Sequence, residues 1–288
     1  MKSGLSLLNA VDSMLCGSGR ILIASDFDGT LSPLVDKPAD ANLASAALTA
    51  VESVLACSRL TLAVITGRRL ADIERRLPPG VIFSGNHGLE IRGGGLRFEH
   101  DAAWHLRPVI AKSCEALEAA TAPWPAAWVE DKELTATLHF RKVAPEYRET
   151  LLYAARRALG AFGPKISMRA GRDALEIRPR VPWNKGSALE YIYREAGPFE
   201  SCICLGDDRT DESMFRAGCC NVSVRVGSSR VTAAAYCLPE PCDVSQLFSH
   251  IAEVCGADPP PISRGFTGCT AGPAAGGSLT ADHAGSGQ

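Results

Sequence analysis

The sequence predicts an α/β fold: a doubly wound, mostly parallel sheet into which a small α+β domain is inserted. Three observations predict it. The apolar runs "RILIAS" at 20–25, "LTLAVI" at 60–65 and "SCICLG" at 201–206 have little polar alternation, as strands buried on both faces of a parallel sheet do. Helical stretches lie between the first two runs, giving βα alternation. The middle, at about 105–180, changes pattern to αββαββ, with strands that alternate apolar and polar residues.

The N-terminal stretch places Leu7, Leu8, Val11, Met14 and Leu15 at helical spacing, so a short amphipathic helix is expected there. Asn9 and Asp12 interrupt what a signal peptide would need as a continuous apolar segment. The first strand ends on Asp26 and is followed by "ASAALTAVESVLACS" with helical character, the second strand, and "LADIERRL", again helical. Within the insertion, "PVIAKSCEALEAATA" and "PEYRETLLYAARRALGAF" read as helices, and "AAWVE", "LTATLHFR", "KISMR" and "ALEIR" as strands. Leu134, Ala136, Leu138 and Phe140 share one face and Thr135, Thr137, His139 and Arg141 the other, the pattern of a sheet covered on one side. The expected organisation is 1–104 and 181–255 for the two parts of the core and 105–180 for the insertion. Residues 256–288 are dense in Gly, Ala, Pro and Ser and poor in large apolar residues, so a disordered tail is expected.

Composition narrows the partners. A net charge of -2 over 288 residues leaves no basic footprint for nucleic acid, and no apolar run approaches the roughly 18 residues of a membrane span. A small-molecule partner, a cytoplasmic location and a monomer are expected. The 11 cysteines form no C-x-x-C pair, so they read as buried thiols acting as small hydrophobes, and no metal is assigned to sulfur.

Each apolar run ends on a chemically capable residue, and in doubly wound sheets ligands bind beyond the carboxyl ends of the strands. Asp26 and Asp28 stand two apart at the first strand end, and "GDDRTDE" adds Asp207, Asp208 and Asp211 at another. One Asp-Gly pair is an ordinary turn, but acids gathered at two strand ends suit a hard divalent cation such as Mg²⁺.

Taken in order, "DFDGTL", "VITGR", the lysine of "NKG" and "GDDRTDE" resemble the four motifs of the haloacid dehalogenase phosphohydrolase superfamily. The resemblance implies that Asp26 is the nucleophile, forming an aspartyl-phosphate that water hydrolyses, and that Asp28 is the general acid and then base. It implies that Thr66 and the Gly67 backbone hold phosphate oxygens while Lys185 offsets charge. Asp207 would bind Mg²⁺ together with Asp26 and the Asp28 carbonyl. Asp208 and Asp211 are each a ligand or an acceptor fixing lysine and water; Asp208 is counted with the ligands and Asp211 with the acceptors.

"GNHGLEI", "VEDKELTATLHFR", "ALEIRP", "LSPLVDKP" and "DDRTDESMF" further resemble the trehalose-6-phosphate phosphatase family over nearly all of 7–250. That implies a cap, residues 105–180, whose Glu130, Lys132 and Glu176 read the sugar ring that carries no phosphate, with Asn86, His87 and Arg141 as weaker candidates. Arg141 is equally readable as structural, His87 as a loop residue, and Arg68 as a phosphate contact or a surface residue at a helix start. The implied substrate is trehalose 6-phosphate. The alternatives are a phosphatase of another sugar phosphate, sucrose phosphate or a mannosyl phosphate, and a non-catalytic sugar-phosphate sensor. An ion-pumping ATPase domain is disfavoured by the acid at position 28.

Overall fold

The structure is a computed structural model that describes residues 4–256 except 36, 172, 229 and 230. The tail expected from 256 lies, Gly256 apart, outside the described residues. In chain order the core begins with α1 (Gly4–Leu15), β1 (Ile21–Ser25), α2 (Ser45–Ala56), β2 (Leu60–Ile65), α3 (Leu70–Ile73), β3 (Ile82–Gly85), β4 (Glu90–Gly93) and β5 (Leu96–Glu99). Then come α4 (Asp101–His105), α5 (Arg107–Thr121), β6 (Trp128–Asp131), β7 (Ala136–His139), α6 (Pro145–Leu159), β8 (Ile166–Ala170) and β9 (Ala174–Pro179). The chain returns through α7 (Lys185–Glu195), β10 (Ser201–Gly206), α8 (Glu212–Phe215), β11 (Val222–Val226), β12 (Tyr236–Leu238) and α9 (Pro241–Gly256).

The larger sheet has eight strands in the order β12-β11-β10-β1-β2-β3-β4-β5. Every pairing from β12 to β3 is parallel, and β4 and β5 extend the edge as an antiparallel hairpin. Strand order reverses at β1, which runs between β10 and β2 in register Ile23↔Ile203 and Ile23↔Leu62. That reversal is the crevice where doubly wound sheets take their ligands.

Burial on both faces explains the apolar runs. Ile21 and Ile23 of β1 enter a cluster with residues of α1, α2 and α9, whereas Leu22 and Ala24 enter a second cluster with residues of α7. Leu7, Leu8, Val11 and Leu15 bury one stripe of α1, as their spacing predicts. "LADIERRL" is helical only over Leu70–Ile73, because Pro78 and Pro79 follow closely and force the chain into turns.

The smaller sheet, β6-β7-β9-β8, is antiparallel throughout. Leu138, Leu175 and Ile177 pack beneath Ile110, Leu117, Leu151 and Leu159 of α5 and α6. The opposite face is not open to water in the way alternation suggests: Thr135 is 3% and Thr137 4% exposed. That face lies against the larger unit.

Candidate active site

The chemistry-bearing residues gather at the carboxyl ends of β1, β2 and β10. Asp26 follows β1; its Oδ1 accepts the Phe27 amide at 2.7 Å and its Oδ2 meets Lys185 Nζ at 2.7 Å. Lys185 opens α7 after the cap residue Asn184, whose side chain accepts the Ser187 amide. It is 2% exposed and its Nζ also reaches Asp211 Oδ1 at 2.7 Å. Burial alone would lower the Lys185 pKa, but Asp211 and Asp26 outweigh it and hold the ammonium charged.

Asp211 is fully buried, and its second oxygen accepts the amides of Asp207 at 3.0 Å and Asp208 at 2.9 Å. It thereby shapes the loop and fixes the lysine. Asp26, Asp207 and Asp211 offer carboxylate oxygens within 4.8 Å of one another. Asp208 is exposed and its side chain stands outside that group, although its backbone amide rests on Asp211. Gly29, at φ +78°, lies so close to Asp207 that a Cβ there would collide with its Oδ2.

Burial raises Asp26 well above the ordinary carboxylate range, Asp211 and Asp207 add to it, and Lys185 offsets only part. Asp207 is pushed up to about 7, first by burial and then by Asp211. Three acids with one lysine leave uncompensated negative charge, and the donors are all oxygen. The cluster therefore fits a hard cation.

Thr66 follows β2 at 1% exposure and its Oγ1 accepts the Arg68 amide at 3.3 Å. Gly67 admits the His87 ring, which lies 2.5 Å from where a Cβ would be. The carbonyl of Gly67 accepts Lys132 Nζ at 3.2 Å. Arg68 is neither on the surface nor free. Its Nε and Nη2 grip Asp28 at 2.7 and 2.6 Å, its Nη1 reaches Asp72 at 2.8 Å, and its guanidinium lies 5.3 Å from the Phe27 ring centroid. A bidentate arginine fixes the orientation of Asp28 beside Asp26.

The smaller sheet contributes across the cleft. Glu130 accepts from His139 Nε2 at 2.8 Å and stands 3.7 Å from Lys132 Nζ. Burial alone would raise Glu130, but His139 and Lys132 hold it below the usual carboxylate range. Glu176 bonds Arg178 and lies 3.2 Å from His87 Nε2. Burial opposes its charge too, yet the His87 bond, Arg178 and Lys132 hold it well below the ordinary value. Asn86, at φ +49°, accepts from Thr135 at 2.6 Å and donates to the Lys132 carbonyl at 3.1 Å. Arg69 pairs with Glu133 over the same seam.

Arg141 is not brought to this place. Its Nε lies 3.4 Å from Asp173, beside Arg148, at the opposite end of the smaller sheet. The strand ends at His139, so the two-residue alternation no longer applies at 141. His139 and Arg178 were missed, although each lies on the polar face by the same alternation that found Glu130 and Glu176.

His87 is 7% exposed, and burial pushes its pKa down to about 3, with Arg178 and Lys185 adding to burial and Glu176 only partly opposing. The ring is neutral and donates Nε2–H to Glu176. An unfolded histidine titrates near 6.5, so the stability this group contributes is complete above that pH and lost as pH falls toward 3. We expect a loss of about 2 kcal/mol by pH 5. In His87→Asn, chosen because Asn tolerates the left-handed backbone at φ +59°, urea unfolding should show a drop between pH 7.5 and 5 that is smaller by about that amount. An equal drop in both proteins would show that His87 is not held neutral.

A family model described as trehalose-phosphatase matches residues 24–236, spanning every residue placed in the site above. The chain belongs to the trehalose-phosphatase family. A trehalose-phosphate phosphatase of Mycobacterium tuberculosis is 32% identical over 263 residues, covering 88% of this chain and 66% of that protein. The chain thus spans just under two thirds of that relative's length. The C-terminal domain of the C. albicans trehalose-6-phosphate phosphatase superposes with a TM-score of 0.74 at 24% identity, covering 85% of this chain and 96% of that one. A haloacid dehalogenase-like hydrolase from B. subtilis has a TM-score of 0.52 at 16% identity over 80% of this chain and 99% of its own. These two likenesses show the fold. Among the described residues no helix is long and apolar enough to cross a membrane, and the cysteines there are all free thiols.

Proposed function

We propose that this trehalose-phosphatase family member hydrolyses trehalose 6-phosphate to trehalose and phosphate with Mg²⁺, the smaller unit, 105–180, acting as a cap. The observation that carries this reading is the meeting of two half-sites: Asp26, Lys185 and the carboxylate cluster below, and Glu130, Lys132 and Glu176 facing them from the cap. The protein would act as a cytoplasmic monomer on this small molecule.

The carboxylate of Asp26 attacks phosphorus, an O–P bond forms to the side chain, and the bond to the sugar oxygen breaks. Asp28, which pairs with Arg68 here as a carboxylate, would leave that pair, take up a proton from solvent and give it to the departing alkoxide, and would then take one from the water that cleaves the aspartyl-phosphate. Thr66 and the amide of Gly67 hold equatorial phosphate oxygens, and Lys185, paired with Asp26, favours the ionised nucleophile against the burial that opposes it. Asp26, Asp207 and the carbonyl of Asp28 would hold Mg²⁺, with Asp211 ordering the loop; the ion supplies charge cancellation between carboxylate and phosphate. Asp208, the other ligand the sequence suggests, rests its backbone amide on Asp211 beside this cluster.

The cap reads an uncharged disaccharide with carboxylates as acceptors and an ammonium as donor. Glu176→Ala should lower kcat/KM for trehalose 6-phosphate by roughly 10- to 100-fold, the worth of one hydrogen bond to a charged group. The loss on p-nitrophenyl phosphate should be far smaller, and equal losses would remove Glu176 from sugar reading. The test of the whole reading is phosphate release from trehalose 6-phosphate, sucrose 6-phosphate and glucose 6-phosphate, with Mg²⁺ and with EDTA. Preference for another ester would keep the chemistry and discard the cap assignment. No release from any would favour a sensor.

A further inference from the structure

We propose that Trp128 is a stacking platform for the hexose ring that carries no phosphate, a specificity residue of the site described above; the inference rests on that reading of the substrate. Residues of the cap sheet that face the core fall in rows across the strands. Lys132 and Thr135 are held against the core, by Gly67 and Asn86 respectively. The next row outward is Glu130, Thr137 and Glu176, paired across β6, β7 and β9. The row beyond that is Trp128, His139 and Ala174. Each row lies two residues further along β6, a step of about 7 Å, roughly the width of one hexose ring. A sugar whose phosphate is at Thr66 and Gly67 and whose hydroxyls meet Lys132, Glu130 and Glu176 extends its second ring toward Trp128.

The indole is built to receive it. It is 47% exposed, while the rest of its row and the row beneath are largely covered. One face stacks on His139, ring centroids 4.1 Å apart and planes 14° from parallel. His139 is itself fixed by Glu130 through Nε2. A single exposed aromatic needs no explanation, but this one is stacked on a residue of the sugar-reading face and still has nearly half of its surface open to solvent. The C–H face of a pyranose laid there buries apolar area on both partners at little ordering cost, because the platform is already rigid. Glu130, bonded to the underside of the same stack, would meet hydroxyls of that ring.

The test compares the parent, Trp128→Ala and Trp128→Phe. Trp128→Ala should raise KM for trehalose 6-phosphate about tenfold, with kcat falling much less, and Trp128→Phe should recover most of the loss. On p-nitrophenyl phosphate, which ends before the second ring, the loss should be at least fivefold smaller. Trehalose added to the parent should shift tryptophan emission, and the shift should be missing in Trp128→Phe, a readout that does not depend on turnover. An unchanged KM in Trp128→Ala, equal losses on both esters, or an emission shift that survives in Trp128→Phe each overturns the platform. Failure of the parent to hydrolyse trehalose 6-phosphate overturns the substrate reading and the platform with it.

Discussion

Asp26→Asn should give a folded protein with turnover reduced by about 10⁴-fold or more, because an amide oxygen cannot form the acyl phosphate. The same change should cost little stability. Asp26 lies in a buried cluster where burial and two neighbouring acids disfavour its charge. A neutral isostere relieves that repulsion, keeps an acceptor for the Phe27 amide and leaves Lys185 its second partner, Asp211. Thermal unfolding without metal should therefore fall within a few degrees of the parent, and phosphate release should be at background. Residual turnover above about one per cent would mean that water attacks phosphorus directly and that Asp26 serves only to hold the cation.

Lys185→Met should do the opposite to stability. The side chain is buried between two carboxylates, one of them fully buried, and methionine of similar length removes the ammonium that meets both. Breaking a buried ion pair from one side typically costs 3 to 5 kcal/mol, read here as a shift in the urea midpoint. Activity should fall with it. Because a cation can replace part of the lost positive charge, millimolar Mg²⁺ should recover more stability in Lys185→Met than in the parent. If Mg²⁺ stabilises both equally, the carboxylates around Lys185 are not those that hold the ion.

The parallel strands β1, β2 and β10 were legible because burial on both faces leaves an uninterrupted apolar run. The β3–β4–β5 edge was not, since its strands are four residues each and are broken by Gly85, Gly88 and "GGG" at 93–95. Motif carboxylates could be read because their spacing along the chain is the spacing that matters. What Asp28 touches could not: Arg68 is 40 residues away, and only the parallel pairing of β1 with β2 brings the two together. Alternation misplaced Arg141 and would have found Trp128 and Arg178 for the same reason, namely that it holds only while a strand lasts.

The seam between cap and core has a consequence for selectivity. Glu176 rests on His87, Lys132 on the Gly67 carbonyl and Asn86 on the Lys132 backbone. The groups assigned to the sugar already have partners in the protein, so an arriving ligand must exchange one polar network for another. Trehalose 6-phosphate, the substrate proposed above, would bring hydroxyls to complete that exchange. A shorter ester would break the same bonds and leave some of them unreplaced, so the seam would work as a threshold that favours a ligand of full length.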